Sequence, residues 1–260
     1  MRERRAAEDQ GKLPKVSVIT VVYNGVAEIA RTIDSTLSQD YANVEYVVID
    51  GQSSDGTLSI IDHYGAAIDV VVSERDNGIY DAMNKGIVLS TGEFLLFMNC
   101  GDVFFGNNSL SSMMALIAGG SAQVVCGNWV RRSNRDPDVL CQPDLERGLF
   151  NHQAIVYSRS LHAIHGLYAN VRGLTTADYL FFATLRSSPT TTWRLIDTAV
   201  AIVDITGISA GSQTLSQKYA IDYLCGRVSK AHMLMVLMAH PLYSWLKRSL
   251  KRLRRLMRRH

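Results

Sequence analysis

The sequence lacks three features that each mark a definite class of protein. Its four cysteines are far apart and form no C-x-x-C pair, which argues against a zinc site or a thioredoxin-like motif. We therefore expect reduced thiols in a cytosolic protein. No apolar run approaches the length of about 18 residues that a membrane-spanning helix needs. The first residues, MRERRAAEDQGK, are charged and lack the apolar core of a secretory signal peptide.

Outside one end of the chain, acidic residues outnumber basic residues. The formal net charge of the 260 residues is +3, with 27 Lys and Arg against 24 Asp and Glu. Residues 247–260 contain eight of those basic residues and no acidic one, so the rest of the chain has a net charge of −5. A basic segment of this kind points to a polyanion or an anionic membrane as its partner.

Apolar residues recur at helical spacing through the same segment, after Pro241. They are Leu242, Trp245, Leu246, Leu250, Leu253, Leu256 and Met257. A basic amphipathic helix with an interfacial tryptophan predicts that residues 242–260 lie on an anionic membrane surface. A helix that packs on its own domain, or that forms an oligomer contact, has the same pattern and is an alternative. Nucleic-acid binding is not expected, because no aromatic stacking surface or binding motif accompanies the basic residues.

The rest of the sequence has the composition of a folded domain and alternates between strand and helix patterns. With 47% hydrophobic and 20% charged residues, the chain can bury a substantial core. Alternation with short connections predicts right-handed β-α-β units in a parallel sheet. Apolar runs occupy residues 16–22, 44–50, 68–73 and 93–98, and helical patterns follow at 29–37, about 58–61 and 79–89.

The second half of the chain is less regular. Strands are predicted at 123–128, 151–158 and 193–205, and a helix is predicted at 175–185. From about Thr214 the pattern is helical to the end, with an interruption at Pro241.

Polar loops follow the four strands of the first half, and three of these loops contain carboxylates. In parallel sheets, ligands bind outside the carboxyl ends of the strands. We therefore expect the loops to converge on one crevice. They are Tyr23-Asn24, Asp50-Gly51-Gln52, residues 74–78 and Asn99–Asp102.

Six segments together carry a resemblance to a known family. In chain order they are VSVITVVYN, VIDGQSSDGT, DNGIYDAMNKGI, GEFLLFMNCGD, NHQAIVYS and TADYLFF. This order resembles family-two glycosyltransferases, over roughly residues 15–190, and most of all the bacterial members that assemble polysaccharides and glycolipids. Members of the family are inverting enzymes with the GT-A fold, a mixed, mainly parallel α/β sheet flanked by helices.

The resemblance implies transfer of a sugar from a nucleotide-diphosphate donor, with UDP as the expected nucleotide. The implied acceptor is a hydroxyl of a lipid-linked saccharide or glycolipid in cell-surface polysaccharide biosynthesis. Such an enzyme is expected in the cytoplasm, as a peripheral protein on the inner face of the membrane.

Five residues of the first half are implied in nucleotide binding. By resemblance, Asp50 accepts a hydrogen bond from the base or the ribose, and Tyr23 and Asn24 contact the base. Asp81 and Lys85 lie on a helix that borders the nucleotide in the family. Each has a simpler structural explanation. Asp50 could satisfy loop amides, the first pair could form only a turn, and the second could be an ordinary i, i+4 ion pair.

Asp102 is the implied metal ligand. The family usually has Asp-x-Asp here, whereas this chain has Asn99-Cys100-Gly101-Asp102, which puts strict metal dependence in question. Mg²⁺ or Mn²⁺ often binds through one or two carboxylates, with phosphate and water as further ligands. Asn99 can still offer a carbonyl oxygen to the sugar or the metal. The alternative is a turn aspartate that caps a helix near Asn107.

Asp178 is the implied catalytic base, because inversion needs a carboxylate that takes the proton of the acceptor hydroxyl. The family usually has Glu-Asp at this point, and this chain has Ala177-Asp178, as one branch does. His152 and Gln153 match a His-Gln of the same branch and are expected on the acceptor side. A helix N-terminal aspartate and a structural histidine are the respective alternatives.

The predicted organisation has three parts. Residues 1–14 form a mobile leader, residues 15–210 a GT-A domain, and residues 211–260 a helical, membrane-associating tail. Within the domain, a nucleotide half covers about 15–105 and an acceptor half about 106–210.

Three other functions compete with the transferase. A nucleotidyltransferase usually has a basic, glycine-rich loop after its first strand, and VVYNGVAE is neither. A non-catalytic nucleotide-sugar-binding scaffold at the membrane would explain the reduced Asp-x-Asp. A peripheral membrane protein could act through its tail alone.

Overall fold

The computed structural model describes residues 13–120, 122–133, 137–204 and 212–239, and one nine-stranded sheet runs through them. The strands are β1 (Val16–Val22), β2 (Val44–Asp50), β3 (Val70–Ser73), β4 (Phe94–Phe97), β5 (Val103–Phe104), β6 (Val124–Arg132), β7 (Val139–Cys141), β8 (Ile155–Ser158) and β9 (Trp193–Asp204). The helices are α1 (Ile29–Leu37), α2 (Thr57–Tyr64), α3 (Ile79–Leu89), α4 (Ser109–Ala118), α5 (Ser160–His165), α6 (Ala177–Ser187), α7 (Ser212–Leu224) and α8 (230–239).

The strands lie in the order β3-β2-β1-β4-β8-β6-β9-β5, with β7 paired to β6. The pairs β1–β2, β1–β4 and β2–β3 are all parallel, which confirms the predicted β-α-β units. β8 is antiparallel to both of its neighbours, β4 and β6. The strand order reverses between β1 and β4, and a crevice outside the carboxyl ends of the strands is expected at such a point.

Helices cover both faces of the sheet. Since successive strand residues point to opposite faces, one strand contributes side chains to two cores. On β1, Val16 and Val18 belong to a core with side chains of α1 and α4. Ile19 and Val21 belong to a second core, with side chains of α3 and α6. All seven residues of β1 are buried, as a central strand covered on both faces requires.

The strand predicted at 151–158 begins later than its sequence suggests. A 3₁₀ turn at His152–Ala154 comes first, and β8 begins only at Ile155. The side chain of Asn151 accepts a hydrogen bond from the backbone N–H of Gln153 (2.9 Å). A local side-chain bond of this kind stabilises a turn in place of a strand ladder.

Further strands also differ from the prediction, among them β6, which continues to Arg132 beyond the predicted end at residue 128. β3 begins at Val70 instead of residue 68, because a 3₁₀ turn at Gly65–Ala67 precedes it. β5 and β7 have two and three residues and were not predicted, since runs this short carry no measurable periodicity.

The described part of the C-terminal segment forms two helices, not the continuous helix predicted from about Thr214. α7 ends at Leu224, and Gly226 has a φ of 71°, which ends a helix. α8 follows at 230–239. Pro241 and the amphipathic segment 242–260 lie outside the described residues. Within the part that the structure describes, no helix is long and apolar enough to cross a membrane.

Candidate active site

The strand-end loops meet at one edge of the sheet, as expected. The backbone N–H of Asn24 donates to Ser53 Oγ (2.7 Å), and Asn24 Oδ1 accepts from the backbone N–H of Ser54 (2.9 Å). Asn24 has a φ of 50°, a left-handed conformation that asparagine tolerates better than most residues. Gly25 lies against the side chain of Cys100, so the loop after β1 contacts both the loop after β2 and the turn after β4.

Asp50 is fully buried, and its carboxylate holds the loops together. Its oxygens accept hydrogen bonds from the backbone N–H and the hydroxyl of Ser53, and from Ser73 Oγ at 2.7 Å. These contacts match the alternative in which Asp50 satisfies loop groups. By contrast, Tyr23 is 66% exposed beside Gly51 and the carboxylate of Asp76, where its ring is open to a ligand.

The predicted pair on α3 is present but belongs to a larger ionic group. Lys85 Nζ lies 3.8 Å from Asp81 Oδ2 and 2.8 Å from Glu74 Oε1, and it also donates to the carbonyl of Arg75 (2.9 Å). The hydrogen bond to Glu74 is the main reason why the pKa of Lys85 is raised. The lysine is therefore a charged group at this edge of the sheet with two carboxylates beside it.

The turn after β4 is held by α1, which sequence reasoning missed. Thr32 Oγ1 accepts from the backbone N–H of Gly101 (3.0 Å) and donates to the carbonyl of Asp102 (2.9 Å). Arg31 Nη2 donates to the carbonyl of Gly101 (2.5 Å). The available signal was a threonine between Ile29 and Ile33, on the buried face of an amphipathic helix.

Asp102 is only 6% exposed, and both of its carboxylate oxygens have partners. Oδ2 accepts from Gln153 Nε2 (2.5 Å), and Oδ1 accepts from the backbone N–H of Asp204 (3.0 Å). Asp102 does not cap a helix, since α4 begins after Asn108. Burial raises the pKa of Asp102 to about 6.

The oxygen atoms around Asp102 fit a divalent cation. Asn99 Oδ1 and Gln153 Oε1 are buried without a hydrogen-bond partner. Their residues lie beside Asp102 in the turn after β4 and in the turn before β8. One carboxylate and two amide carbonyls are the hard oxygen ligands that Mg²⁺ and Mn²⁺ prefer. In the described ranges no three His, Cys, Asp or Glu side chains form a metal cluster, so phosphate and water would complete the coordination.

Asp178, in the first turn of α6, is the end of a chain of hydrogen bonds. Tyr80 Oη donates to Asp178 Oδ1 (2.7 Å), and His152 Nδ1 lies 2.8 Å from Asp178 Oδ2. His152 Nε2 lies 3.0 Å from Asn99 Nδ2. One hydrogen-bond network therefore joins Asp178, the predicted base, to His152 and then to Asn99.

The network keeps Asp178 in the state that a base requires. Burial raises the pKa of Asp178, but His152 and the Tyr80 hydroxyl outweigh this effect, so the pKa lies below its usual value. The side chain is still 18% exposed, more than that of Asp102, so the ionised side chain keeps some access from outside the protein. An ionised carboxylate with open access can take a proton from a hydroxyl.

Residues 17–156 match the family described as glycosyl transferase family 2. A Mycobacterium bovis (strain BCG / Pasteur 1173P2) protein, named PGL/p-HBAD biosynthesis glycosyltransferase, is 32% identical over 198 residues, which cover 72% of this chain and 76% of that protein. Glycosyltransferase AglE from Haloferax volcanii is 34% identical over 121 residues, or 45% of this chain and 40% of AglE.

Solved glycosyltransferases share the fold. S. aureus TarS 1-349 in complex with UDP-GlcNAc has a TM-score of 0.65 and 19% identity, covering 84% of this chain and 69% of that one. Mannosyltransferase PcManGT from Pyrobaculum calidifontis, in complex with GDP-Man and Mn²⁺, has a TM-score of 0.67 and 20% identity, covering 93% and 77%. The expected GT-A fold is therefore confirmed.

Proposed function

Because the chain belongs to glycosyl transferase family 2, we propose that it moves a sugar from a UDP-linked donor to an acceptor hydroxyl, with inversion at the anomeric carbon. The observation that carries this proposal is that two carboxylates with different environments contact neighbouring residues of one turn. Gln153 donates to Asp102, and its neighbour in sequence, His152, lies 2.8 Å from the ionised carboxylate of Asp178.

Each side of the network has its own part in the reaction. Asp102, Asn99 and Gln153 would hold a divalent cation, which would supply positive charge next to the leaving nucleotide diphosphate. Asp178 takes the proton of the acceptor hydroxyl while the hydroxyl oxygen forms a bond to the anomeric carbon. The bond from that carbon to the diphosphate breaks on the opposite face, so the configuration inverts.

The exposed ring of Tyr23 and the ionic group around Lys85 complete the proposed donor site. A tyrosine ring open to solvent offers a stacking surface for a base, and Lys85 offers positive charge to the diphosphate. Asp50 acts on the nucleotide mainly through the loops that it holds in place. Neighbours of the same fold in complex with UDP-GlcNAc and with GDP-Man support a nucleotide-sugar donor.

Donor binding is the first test of the proposal. We expect one nucleotide sugar of a panel that includes UDP-GlcNAc, UDP-Glc, UDP-Gal and GDP-Man to bind best by calorimetry, and to bind about tenfold or more tightly with Mn²⁺. The anomeric proton coupling of the transfer product then reports inversion. If no nucleotide sugar binds, the proposal is wrong. Binding without transfer to any lipid-linked or glycan acceptor would favour the scaffold instead.

The acceptor is proposed to be carried by lipid, and the apolar surface of α8 supports this. Leu234, Met235 and Met238 are exposed, and no residue of this helix is buried. Residues 233–238 of this helix are apolar throughout, and exposed apolar patches mark interaction sites. Since the basic segment 242–260 follows directly, an anionic membrane surface at the inner face of the cytoplasmic membrane is the proposed partner.

Vesicle binding tests the membrane proposal. Glutamine at Arg252, Arg254, Arg255 and Arg258 is expected to weaken binding to phosphatidylglycerol vesicles by about 1,000-fold, at about 1 kcal/mol per basic residue. The matched control is glutamine at Arg2, Arg4 and Arg5, a basic group at the other end of the chain, which should change little. Equal binding of both variants, or equal binding to phosphatidylcholine vesicles, would contradict an anionic membrane partner.

A further inference from the structure

His152 has both ring nitrogens engaged inside the protein. Its side chain is 13% exposed, with Nδ1 2.8 Å from Asp178 and Nε2 3.0 Å from the amide nitrogen of Asn99. An acceptor sugar therefore finds no free nitrogen on this ring. The expectation that His152 contacts the acceptor does not explain these two bonds.

The partners of the ring determine which nitrogen carries the proton. The amide nitrogen of Asn99 can only donate, so Nε2 of His152 accepts and Nδ1 carries the hydrogen. That hydrogen then points at Asp178 Oδ2. The same orientation of Asn99 leaves its Oδ1 buried without a hydrogen-bond partner. In this one orientation, the Asn99 amide nitrogen donates to His152 and the amide oxygen stays available to a cation.

We propose that His152 is a positioning residue for Asp178, which it holds in one orientation. The inference rests on the proposed function, in which Asp178 is the base. His152 donates to Oδ2 while Tyr80 donates to Oδ1, so the carboxylate plane is held from both sides. The backbone N–H of Tyr179 also donates to this carboxylate, so the acceptor hydroxyl reaches it in one orientation.

The physical reason for such a device is the steep dependence of the reaction on geometry. A displacement of about 1 Å at the reacting atoms can cost about 100-fold in rate. Asp178 lies on α6 and Asn99 after β4, and the ring of His152 spans the gap between them. The turn His152–Ala154 replaces the start of the predicted strand at this point, which brings the ring to α6 instead of continuing the sheet.

Two substitutions that mimic different ring nitrogens test the proposal. His152→Asn places an amide N–H near the position of Nδ1, so the donor to Asp178 is retained. His152→Gln places its amide near Nε2 and leaves Asp178 Oδ2 without its partner. We expect kcat to fall by about 100-fold in His152→Gln, and by about tenfold or less in His152→Asn. The KM for the acceptor and the Kd for the donor should change little in either variant.

His162 provides the matched control. This buried histidine also has both nitrogens engaged, by Tyr157 (2.9 Å) and by the carbonyl of Gly166 (2.9 Å), but it lies in the aromatic cluster under α6, outside the network. His162→Asn and His162→Gln are expected to lower the melting temperature without separating the two kcat values.

The outcomes separate the inference from the function on which it rests. Equal kcat values for His152→Asn and His152→Gln would overturn the positioning role. An increase in acceptor KM at unchanged kcat would return His152 to the acceptor site. If Asp178→Asn retains full transfer activity, the proposed base is wrong whatever the histidine variants do.

Discussion

Asp178→Asn is expected to lower kcat by about 100- to 10,000-fold while the donor binds as before. General-base catalysis contributes a factor of this size, and asparagine cannot accept the proton. The fold should survive, because the Tyr80 hydroxyl, which now donates to Oδ1, can turn and accept from the new amide nitrogen. Steady-state transfer assays together with donor calorimetry separate the chemical step from binding.

Asp222→Asn is the control for this substitution. Asp222 is also a buried carboxylate that accepts from a tyrosine hydroxyl, that of Tyr179 at 2.6 Å, but it pairs with Arg227 (3.1 Å) where α7 packs on α6. We expect it to lose stability, because an unpaired buried arginine is costly, and to keep its kcat. Similar losses of kcat in both variants would mean that the effect of Asp178→Asn reflects the fold and not the chemistry.

Asp102→Asn is expected to make the protein more stable at neutral pH and to remove its response to metal. Burial raises the pKa of Asp102 to about 6, against about 3.9 in an unfolded chain. Above about pH 6 the folded state must carry a buried charge, which costs on the order of 2–3 kcal/mol. Below about pH 4 the carboxyl is neutral in both states and the cost is gone. The asparagine variant should therefore gain free energy of unfolding above pH 6 and lose that advantage as the pH falls toward 4, in urea titrations.

Glu45→Gln is expected to change the free energy of unfolding in the opposite direction from Asp102→Asn. Burial raises the pKa of Glu45, but hydrogen bonds from Ser17, Thr91 and Lys15 outweigh it and hold the pKa at about 2. The ionised carboxylate therefore stabilises the folded state above its unfolded pKa, and this contribution is lost as the pH falls toward 2. Glu45→Gln is expected to be less stable than the wild type at neutral pH. If both variants shift in the same direction, the carboxylate environments are not those described.

The activity of Asp102→Asn completes this prediction. Mn²⁺ should tighten donor binding in the wild type and should not do so in the variant, as measured by calorimetry at about neutral pH. Because the variant is expected to be the more stable protein, unfolding cannot account for the loss. A variant that still responds to Mn²⁺ would place the metal away from Asp102.

Much of the first half of the fold could be predicted from local patterns. The bounds predicted for β1, β2 and α3 agree with the structure, because buried strands and amphipathic helices differ in period. The start of β8 was predicted too early, because the Asn151 side chain stabilises a local turn. That turn depends on one hydrogen bond, which the periodicity of the sequence does not reveal. β5 and β7 exist only through pairing with distant strands.

The candidate site was only partly predictable, for the same reason. Asp102 and Asp178 were identified from their motifs, yet the sequence placed His152 with the acceptor and did not connect Tyr80 with Asp178. The structure puts both on the carboxylate of Asp178. Asp50 shows the converse, since its motif predicts a ligand contact while its oxygens bind Ser53 and Ser73.

By itself, the sequence determined the alternation of strands and helices, the family, and the residue types at the carboxyl ends of the strands. The tertiary structure alone decided which of those residues touch, since β8 lies antiparallel beside β4 and α6 packs over the sheet. It also decided their charge states. Burial raises the pKa of Asp102, whereas two hydrogen-bond partners lower that of Asp178. Neither environment is local in the chain, because desolvation and hydrogen bonding depend on neighbours that only the folded sheet brings together.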